Sequence, residues 1–285
     1  WKAYVPAHGA KLAIEAVDRA MRGEGSPSPI YEGEDSILAW ILDGPDSDYT
    51  VPLPGPGEEK RAILETYTKE HSAEYQSQAL IDLAFRMRKH ISDFSQIKDI
   101  LIETSHHTHY VIGTGAKDPQ KMDPNASRET LDHSIMYIFA VALLDGRWHH
   151  VDSYDRVKVQ NSETISLWHK ISTIEKPYWT DIYHAKDPNR KAFGGKVIIT
   201  MNDGKTLEDK IERANAHPAG ARPFKRENYI GKFDMLTKEL IKTEERNRFI
   251  GLVENLSNLT PKEVKEINVQ VAELSNSTLD TKGIF

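Results

Sequence analysis

Apolar residues recur at helical spacing in several stretches of the 285-residue chain. Between residues 7 and 22 small apolar residues, Ala13 and Val17 among them, fall on one side, which predicts a helix suited to close helix packing. A short second helix is predicted over residues 35–42. The segment between residues 44 and 58 is rich in Pro, Gly and Asp and is predicted to be a loop.

A third helix is predicted to begin at Ser72, a residue type that often caps helix N-termini. Apolar residues then recur at helical spacing as far as Ile91. Residues 97–103 are predicted to form a strand. Residues 196–201 and 206–211 are predicted to pair as a hairpin, because the Asp203-Gly204 dipeptide between them favours a tight turn.

The stretch from Ser105 to Gly146 combines three histidines and a tyrosine with a long apolar segment. If its first residues are extended, His107 and His109 share one face, because side chains alternate along a strand. A long apolar helix opened by Ser127 is predicted to follow. Further helices are predicted over the ranges 162–175 (ended by Pro177), 227–244, from there to about 256, and from Thr260 onward.

Predicted strands lie between residues 97 and 211, with predicted helices on both sides in sequence. The expected fold class is therefore α+β. Residues 65–217 are predicted to form an α+β domain. It is expected to be inserted into a helical domain made of residues 1–64 and 218–285.

The composition excludes only a few classes of function. The chain is 39% hydrophobic and 28% charged, with a net charge of -6, which is ordinary for a globular protein. No basic block predicts nucleic-acid binding, and no apolar run reaches the roughly 18 residues of a membrane span. With no cysteine in the chain, thiolate zinc sites and cysteine-ligated iron–sulfur clusters are excluded for it.

Three sequence blocks resemble the C-terminal half of the MmgE/PrpD family. They are KEHSAEYQSQ at 69–78, LDHSI at 131–135 with LDG at 144–146, and Trp1-Lys2 before the first helix. One departure is Gln76, where the family often has His, and we assign no role to that position. The resemblance implies the same division into two domains and a long helical segment before Trp1, so that this chain is expected to be a C-terminal portion.

The resemblance implies a hydro-lyase that removes water from 2-methylcitrate to give 2-methyl-cis-aconitate in propionate breakdown. No cofactor is expected. The expected partners are a small tricarboxylate substrate, the preceding N-terminal segment and a second copy in a homodimer, in the cytoplasm. Nucleic acid and membranes are not expected partners.

Such a dehydration needs a base for the proton α to a carboxylate, an acid for the departing hydroxyl, and cations for the carboxylates. Lys69, expected just before a helix N-terminus that favours anions, matches a lysine of the family's active site. His107 and Tyr110 are predicted to be catalytic with Lys69. The sequence does not decide between His107 and His109 as the acid or base.

Substrate contacts are predicted for Lys2, Glu74, His109 and Arg128. Lys2 is assigned by the resemblance alone, and Arg128 at a helix start could clamp a carboxylate with its planar guanidinium. His133 and Tyr183 are expected to be structural. No metal site is predicted, since the histidines lack cysteine or carboxylate partners at ligand spacing.

Two other interpretations stay open. One is a related lyase or isomerase acting on a cis-aconitate-like tricarboxylate, because one sequence does not resolve a methyl-sized difference in substrate. The other is an inactive helical interaction fragment. A third, a histidine-rich metal-binding domain, is disfavoured by the same ligand spacing.

Overall fold

The computed structural model describes residues 4–28, 30–42, 44, 46–47, 54–59 and 66–271. The chain divides into two compact units, residues 1–65 and 66–285. In the first unit, helix α1 spans Val5–Met21 and helix α2 spans Ile37–Ile41. Both helices were predicted. Much of the predicted loop over 44–58 lies outside the described residues.

The second unit combines helices with a four-stranded sheet, so the predicted α+β class is confirmed. In chain order its elements are α3 (Gln78–Met87), β1 (Ile97–Thr104), α4 (His106–Val111), α5 (Arg128–Leu131), α6 (Ile135–Asp145), α7 (Arg156–Val159), α8 (Ser162–Trp168), β2 (Ile171–Glu175), α9 (Pro177–Tyr183), β3 (Gly195–Met201), β4 (Thr206–Ile211), α10 (Arg226–Thr237), α11 (Thr243–Glu254) and α12 (Pro261–Val264).

The sheet has the strand order β2-β1-β3-β4. β1 runs parallel to β2, with Ile100 opposite Ile171, and antiparallel to β3, with Leu101 opposite Ile198. β3 and β4 form the predicted hairpin, and Gly204 in its turn has a φ of 85°, which an L-residue rarely adopts. The sheet places the end of β1 and the end of β2 side by side, directly before α4 and α9.

The core of the second unit is built around α6, in which every residue from Ile135 to Leu143 is buried. A helix that is apolar on all sides must be surrounded by other elements. It packs against α3 and α8, and their buried side chains join those of β1 and β3 in one cluster. The sheet and the helices next to it therefore stand on a rigid base.

Three predicted elements were wrong in type or extent. Residues 106–111 form α4 instead of an extended segment, because the Ser105 hydroxyl caps the helix by accepting from the backbone N of Thr108. The predicted helix from Ser72 begins only with a 3₁₀ turn at Tyr75–Ser77. Residues 171–175 are strand β2 instead of helix, because they pair with β1, and Pro177 begins α9 instead of ending a helix.

Two long predicted helices are each divided. Ser127 opens only the short α5, and Ser134 caps α6 separately, with its hydroxyl accepting from the backbone N of Tyr137 and donating to the Lys121 carbonyl. The predicted helix over 227–244 ends at Thr237, and α11 begins at Thr243. At Ser134 a polar cap therefore begins a new helix within a stretch that the apolar periodicity alone would make continuous.

The C-terminal helices α10–α12 belong to the same compact unit as the sheet. The grouping of residues 218–285 with residues 1–64 in one helical domain stays a prediction. Within the described ranges, no helix combines the length and the apolarity that crossing a bilayer would require.

Candidate functional site

Helix α4 presents its polar side chains on different sides. Successive residues of a helix turn by about 100°, so His107 and His109 lie about 200° apart. The expectation that they share a face was therefore wrong, because it assumed an extended segment. Tyr110 follows His107 by three residues and neighbours it on the helix surface.

His107 is half-buried and meets the segment before α3. Its Nε2 lies 3.2 Å from one end of the Gln76 side-chain amide, and the other end of the amide faces the carboxylate of Glu74. Both neighbours can be hydrogen-bonded when the amide oxygen faces His107 and the amide nitrogen faces Glu74. The ring of Tyr183, at the end of α9, stacks on the imidazole with centroids 5.2 Å apart. The Tyr183 hydroxyl lies 3.4 Å from the Gln76 amide. Glu74, Gln76, His107 and Tyr183 form one connected group, which we call the Glu74 cluster.

Glu74 carries the negative charge of this cluster. Burial raises the pKa of its carboxyl, although the backbone N–H of Gln76 and the charges of Lys69 and His133 act in the opposite direction. The Gln76 N–H donates to the carboxylate at 2.6 Å. A partly buried carboxylate beside cationic groups is typical of sites where protons or anionic ligands are handled.

Lys69 is exposed and close enough to Glu74 for their charges to interact. It does not directly precede a helix, as was expected, because residues 70–74 lie between it and the first turn. Its backbone carbonyl accepts from Nζ of Lys232 on α10. The adjacent residues are held from the same side, Thr68 by Tyr229 (2.7 Å) and Glu70 by Arg222 (2.9 Å). Helix α10 and the segment before it therefore fix the course of the chain at Lys69.

A second polar group on α4 faces β2. Nδ1 of His109 lies 2.7 Å from the Thr173 hydroxyl, and Nδ1 of His106 lies 2.8 Å from the Glu175 carboxylate. The ring of Tyr110, which is 47% exposed, contacts both imidazoles, with centroids 4.5 and 4.6 Å away. Burial lowers the pKa of His109, the nearby charge of Glu175 opposes this, and His106 reinforces it.

The fit around His109 is tight. A Cβ added to Gly115 would lie 2.4 Å from its Nε2, so only glycine can occupy that position without displacing the ring. His109 thus has one ring nitrogen on Thr173 and the other against the backbone of the next turn. These contacts hold the His109 ring in place.

Arg128 is not among the described residues gathered around His107. The Arg128 guanidinium lies 4.7 Å from the centre of the Tyr154 ring and donates to the His150 carbonyl at 3.0 Å. The Tyr154 hydroxyl in turn donates to Asp132 at 2.8 Å, beside His133. Lys2 lies outside the described residues.

Comparison with known proteins decides the family. Residues 71–258, well over half of the chain, match the MmgE/PrpD C-terminal domain. The chain belongs to the MmgE/PrpD family. The matched range contains the whole Glu74 cluster, α4 and Arg128, and it begins just after Lys69.

Members of the MmgE/PrpD family named as 2-methylcitrate dehydratases resemble the chain at low identity. A probable 2-methylcitrate dehydratase of Saccharomyces cerevisiae is 28% identical over 183 residues, which cover 60% of this chain and 33% of that protein. The 2-methylcitrate dehydratase of Escherichia coli O157:H7 is 24% identical over 178 residues, covering 62% and 36%. The chain spans about a third of the length of these two relatives.

The sequence alone had given no functional role to two residues of the Glu74 cluster. Gln76 was set aside because it departs from the family pattern, and Tyr183 was expected to be structural. Gln76 could have been found, since it lies two residues after Glu74 in the 69–78 block. Tyr183 carries no local signal, because only the packing of α9 against α4 brings it to His107.

A group with metal-ligand chemistry lies next to the cluster. Glu70, His71 and Asp82 each offer one ligand atom, and within the ranges that the structure describes these atoms lie within 4.8 Å of one another. All three are already engaged. Asp82 pairs with His71 at 3.1 Å and accepts from the backbone N of Asn215 at 2.7 Å, while Glu70 pairs with Arg222. These polar contacts join α3 and the segment before it to residues that follow β4.

Proposed function

We propose that this chain supplies the acid–base part of a hydro-lyase site that dehydrates 2-methylcitrate or a closely similar tricarboxylate. The observation that supports this most directly is the Glu74 cluster, in which a histidine and a partly buried carboxylate are joined through one amide beside Lys69. The 2-methylcitrate dehydratases among its relatives supply the substrate class.

The proposed chemistry needs no group from outside the amino acids. His107 takes the proton from the carbon α to a carboxylate, and the C–O bond to the hydroxyl on the adjacent carbon breaks. The hydroxyl leaves as water with a proton donated by Tyr110, and a C=C bond forms. His107 and Tyr110 are three residues apart on α4, and the exposure of the Tyr110 ring supports the proposal that both act on one small substrate.

Lys69 is proposed to stabilise the negative charge that grows on the substrate carboxylate as the proton leaves. The carboxylate of Glu74 is proposed to balance the positive charges of Lys69 and His133 and to orient the Gln76 amide. Lys2 and Arg128 remain proposed carboxylate contacts. His109, held by Thr173 and Gly115, is proposed to support α4 instead of touching the substrate.

The test is an assay on 2-methylcitrate that follows the ultraviolet absorbance of the conjugated product. It should be run on this 285-residue chain and on the longest natural form of the protein that contains it. We expect activity in the longest form and none in the chain alone. A longest form that leaves 2-methylcitrate unchanged but acts on another cis-aconitate-like acid would favour a related lyase or isomerase.

A helical interaction fragment is the second candidate, favoured by the surface of α1. Every residue of α1 is exposed, including Leu12, Ile14, Val17 and Met21. Apolar side chains gathered on one helix mark contact surfaces when they stay exposed. Sedimentation of the purified chain tests this candidate, since self-association lost on changing Val17→Glu and Met21→Glu would support it. A homodimer and a cytoplasmic location remain proposals.

A further inference from the structure

We propose that Gln76 is a positioning residue that fixes the tautomer of His107, holding its proton on Nε2 and leaving Nδ1 free to accept one. The inference rests on the proposed role of His107 as the base. It gives a function to a position that the sequence left without one.

The orientation of the Gln76 amide follows from its partners. The oxygen and nitrogen of an amide have nearly the same shape, so the hydrogen-bond network decides which end points where. An ionised carboxylate only accepts hydrogen bonds. Both carboxylate oxygens of Glu74 face one end of the amide, which must therefore be the NH₂ group.

The opposite end of the amide is then an oxygen, and it faces Nε2 of His107 at 3.2 Å. An oxygen acceptor requires that this ring nitrogen carry a proton. In the neutral imidazole only one nitrogen is protonated, so Nδ1 holds the lone pair. Gln76 thereby transmits the charge of Glu74 to His107 without itself gaining or losing a proton.

The surroundings restrict both groups. The Gln76 side chain is buried, with 8% of the residue exposed, and its backbone N–H is also bound to Glu74. The His107 ring lies against Tyr183, with an angle of 24° between their planes. With the ring plane and the amide both held, rotation of the imidazole would break the hydrogen bond to Gln76.

The experiment is nitrogen-15 spectroscopy of histidine-labelled chain above pH 8, where two-bond correlations distinguish the two neutral tautomers. His107→Gln assigns the resonances of His107 among the 12 histidines. We expect His107 in the Nε2–H tautomer. Glu74→Gln should let the Gln76 amide adopt either orientation, because a neutral side chain at position 74 both donates and accepts hydrogen bonds. Gln76→Leu should remove this amide altogether. Each variant should give His107 a mixture of the two tautomers.

Glu175→Gln is the matched control, because Glu175 binds His106 on the same helix instead of His107. It should shift the His106 resonances and leave those of His107 in place. An Nδ1–H tautomer of His107 in the unaltered chain would overturn the proposal. So would His107 signals that neither Glu74→Gln nor Gln76→Leu changes.

The spectra separate this inference from the proposed function. A fixed Nε2–H tautomer in a protein inactive on every tricarboxylate would refute the function and leave the positioning intact. If the longest natural form is active, Gln76→Leu should lower kcat with little change in KM, because the substrate does not bind through Gln76. An unchanged kcat would overturn the positioning role.

Discussion

On one side of α4, His107 contacts Gln76, which belongs to an irregular segment that also carries Glu74 and follows Lys69. On the other side, His109 bonds to Thr173 in the middle of β2 and lies against Gly115. The two histidines are two residues apart on one helix. One is tied to charged groups on a segment held by α10, and the other to a regular strand. This contrast is the reason for proposing that His107, and not His109, acts on the substrate.

The largest expected effect comes from removing the imidazole of His107. His107→Asn in the longest natural form of the protein should lower kcat/KM by about 10²- to 10⁴-fold, the usual range for a general base. His109→Asn should cost about tenfold or less, because asparagine can still hydrogen-bond Thr173. Steady-state assays of both variants on 2-methylcitrate test the contrast, and equal losses would erase it.

The next effect concerns the charge beside the Glu74 cluster. Lys69→Ala should lower kcat/KM by about 10²-fold, the scale of losing one electrostatic stabiliser. The fold should persist, because the Lys69 side chain is exposed and Lys232 binds its backbone carbonyl. Lys69→Arg should restore activity only in part, since a planar guanidinium does not replace a compact ammonium. Near-normal kinetics of Lys69→Ala would contradict its proposed role.

A smaller effect, due to His109, should appear in the pH dependence of folding stability. Burial holds the pKa of His109 below its ordinary value, so the unfolded chain binds a proton there at a pH at which the folded chain does not. His109 therefore makes its full contribution to folding stability above about pH 6.5, the ordinary pKa of histidine. This contribution is lost as the pH falls below that value. Urea unfolding of His109→Asn should show a weaker loss of stability between pH 7 and pH 5. A pH dependence equal to that of the unaltered chain would count against burial of a neutral His109.

The smallest expected effect is that of chelation. Prolonged treatment of the longest natural form with a chelator should leave kcat/KM unchanged, because the candidate ligands Glu70, His71 and Asp82 are already bonded within the protein. Glu70 pairs with Arg222, and Asp82 bonds to His71 and to the backbone N of Asn215. Activity that disappears and returns with one added divalent metal would contradict this and would direct attention to these three residues. Glu70→Gln would then be the variant to compare.

Part of this molecule followed from local sequence. The strand at β1, the hairpin around Asp203-Gly204 and helix α1 depend on periodicity and turn chemistry within a few residues, and all three were predicted. The 69–78 block led to Lys69 and Glu74, and the structure brings the charges of these two residues together. These outcomes share a cause, because each depends on neighbours close in the chain.

The rest was decided by tertiary contacts. Residues 171–175 became a strand because β1 offers them hydrogen-bond partners about 70 residues earlier in the chain. Whether His107 or His109 lies next to Gln76 depended on α4 being a helix and on how that helix packs. Tyr183 joined His107 only through that packing, which no local pattern records. The sequence by itself determined which side chains were available for the chemistry. Only the tertiary structure decided their grouping, because side-chain direction depends on how each element packs.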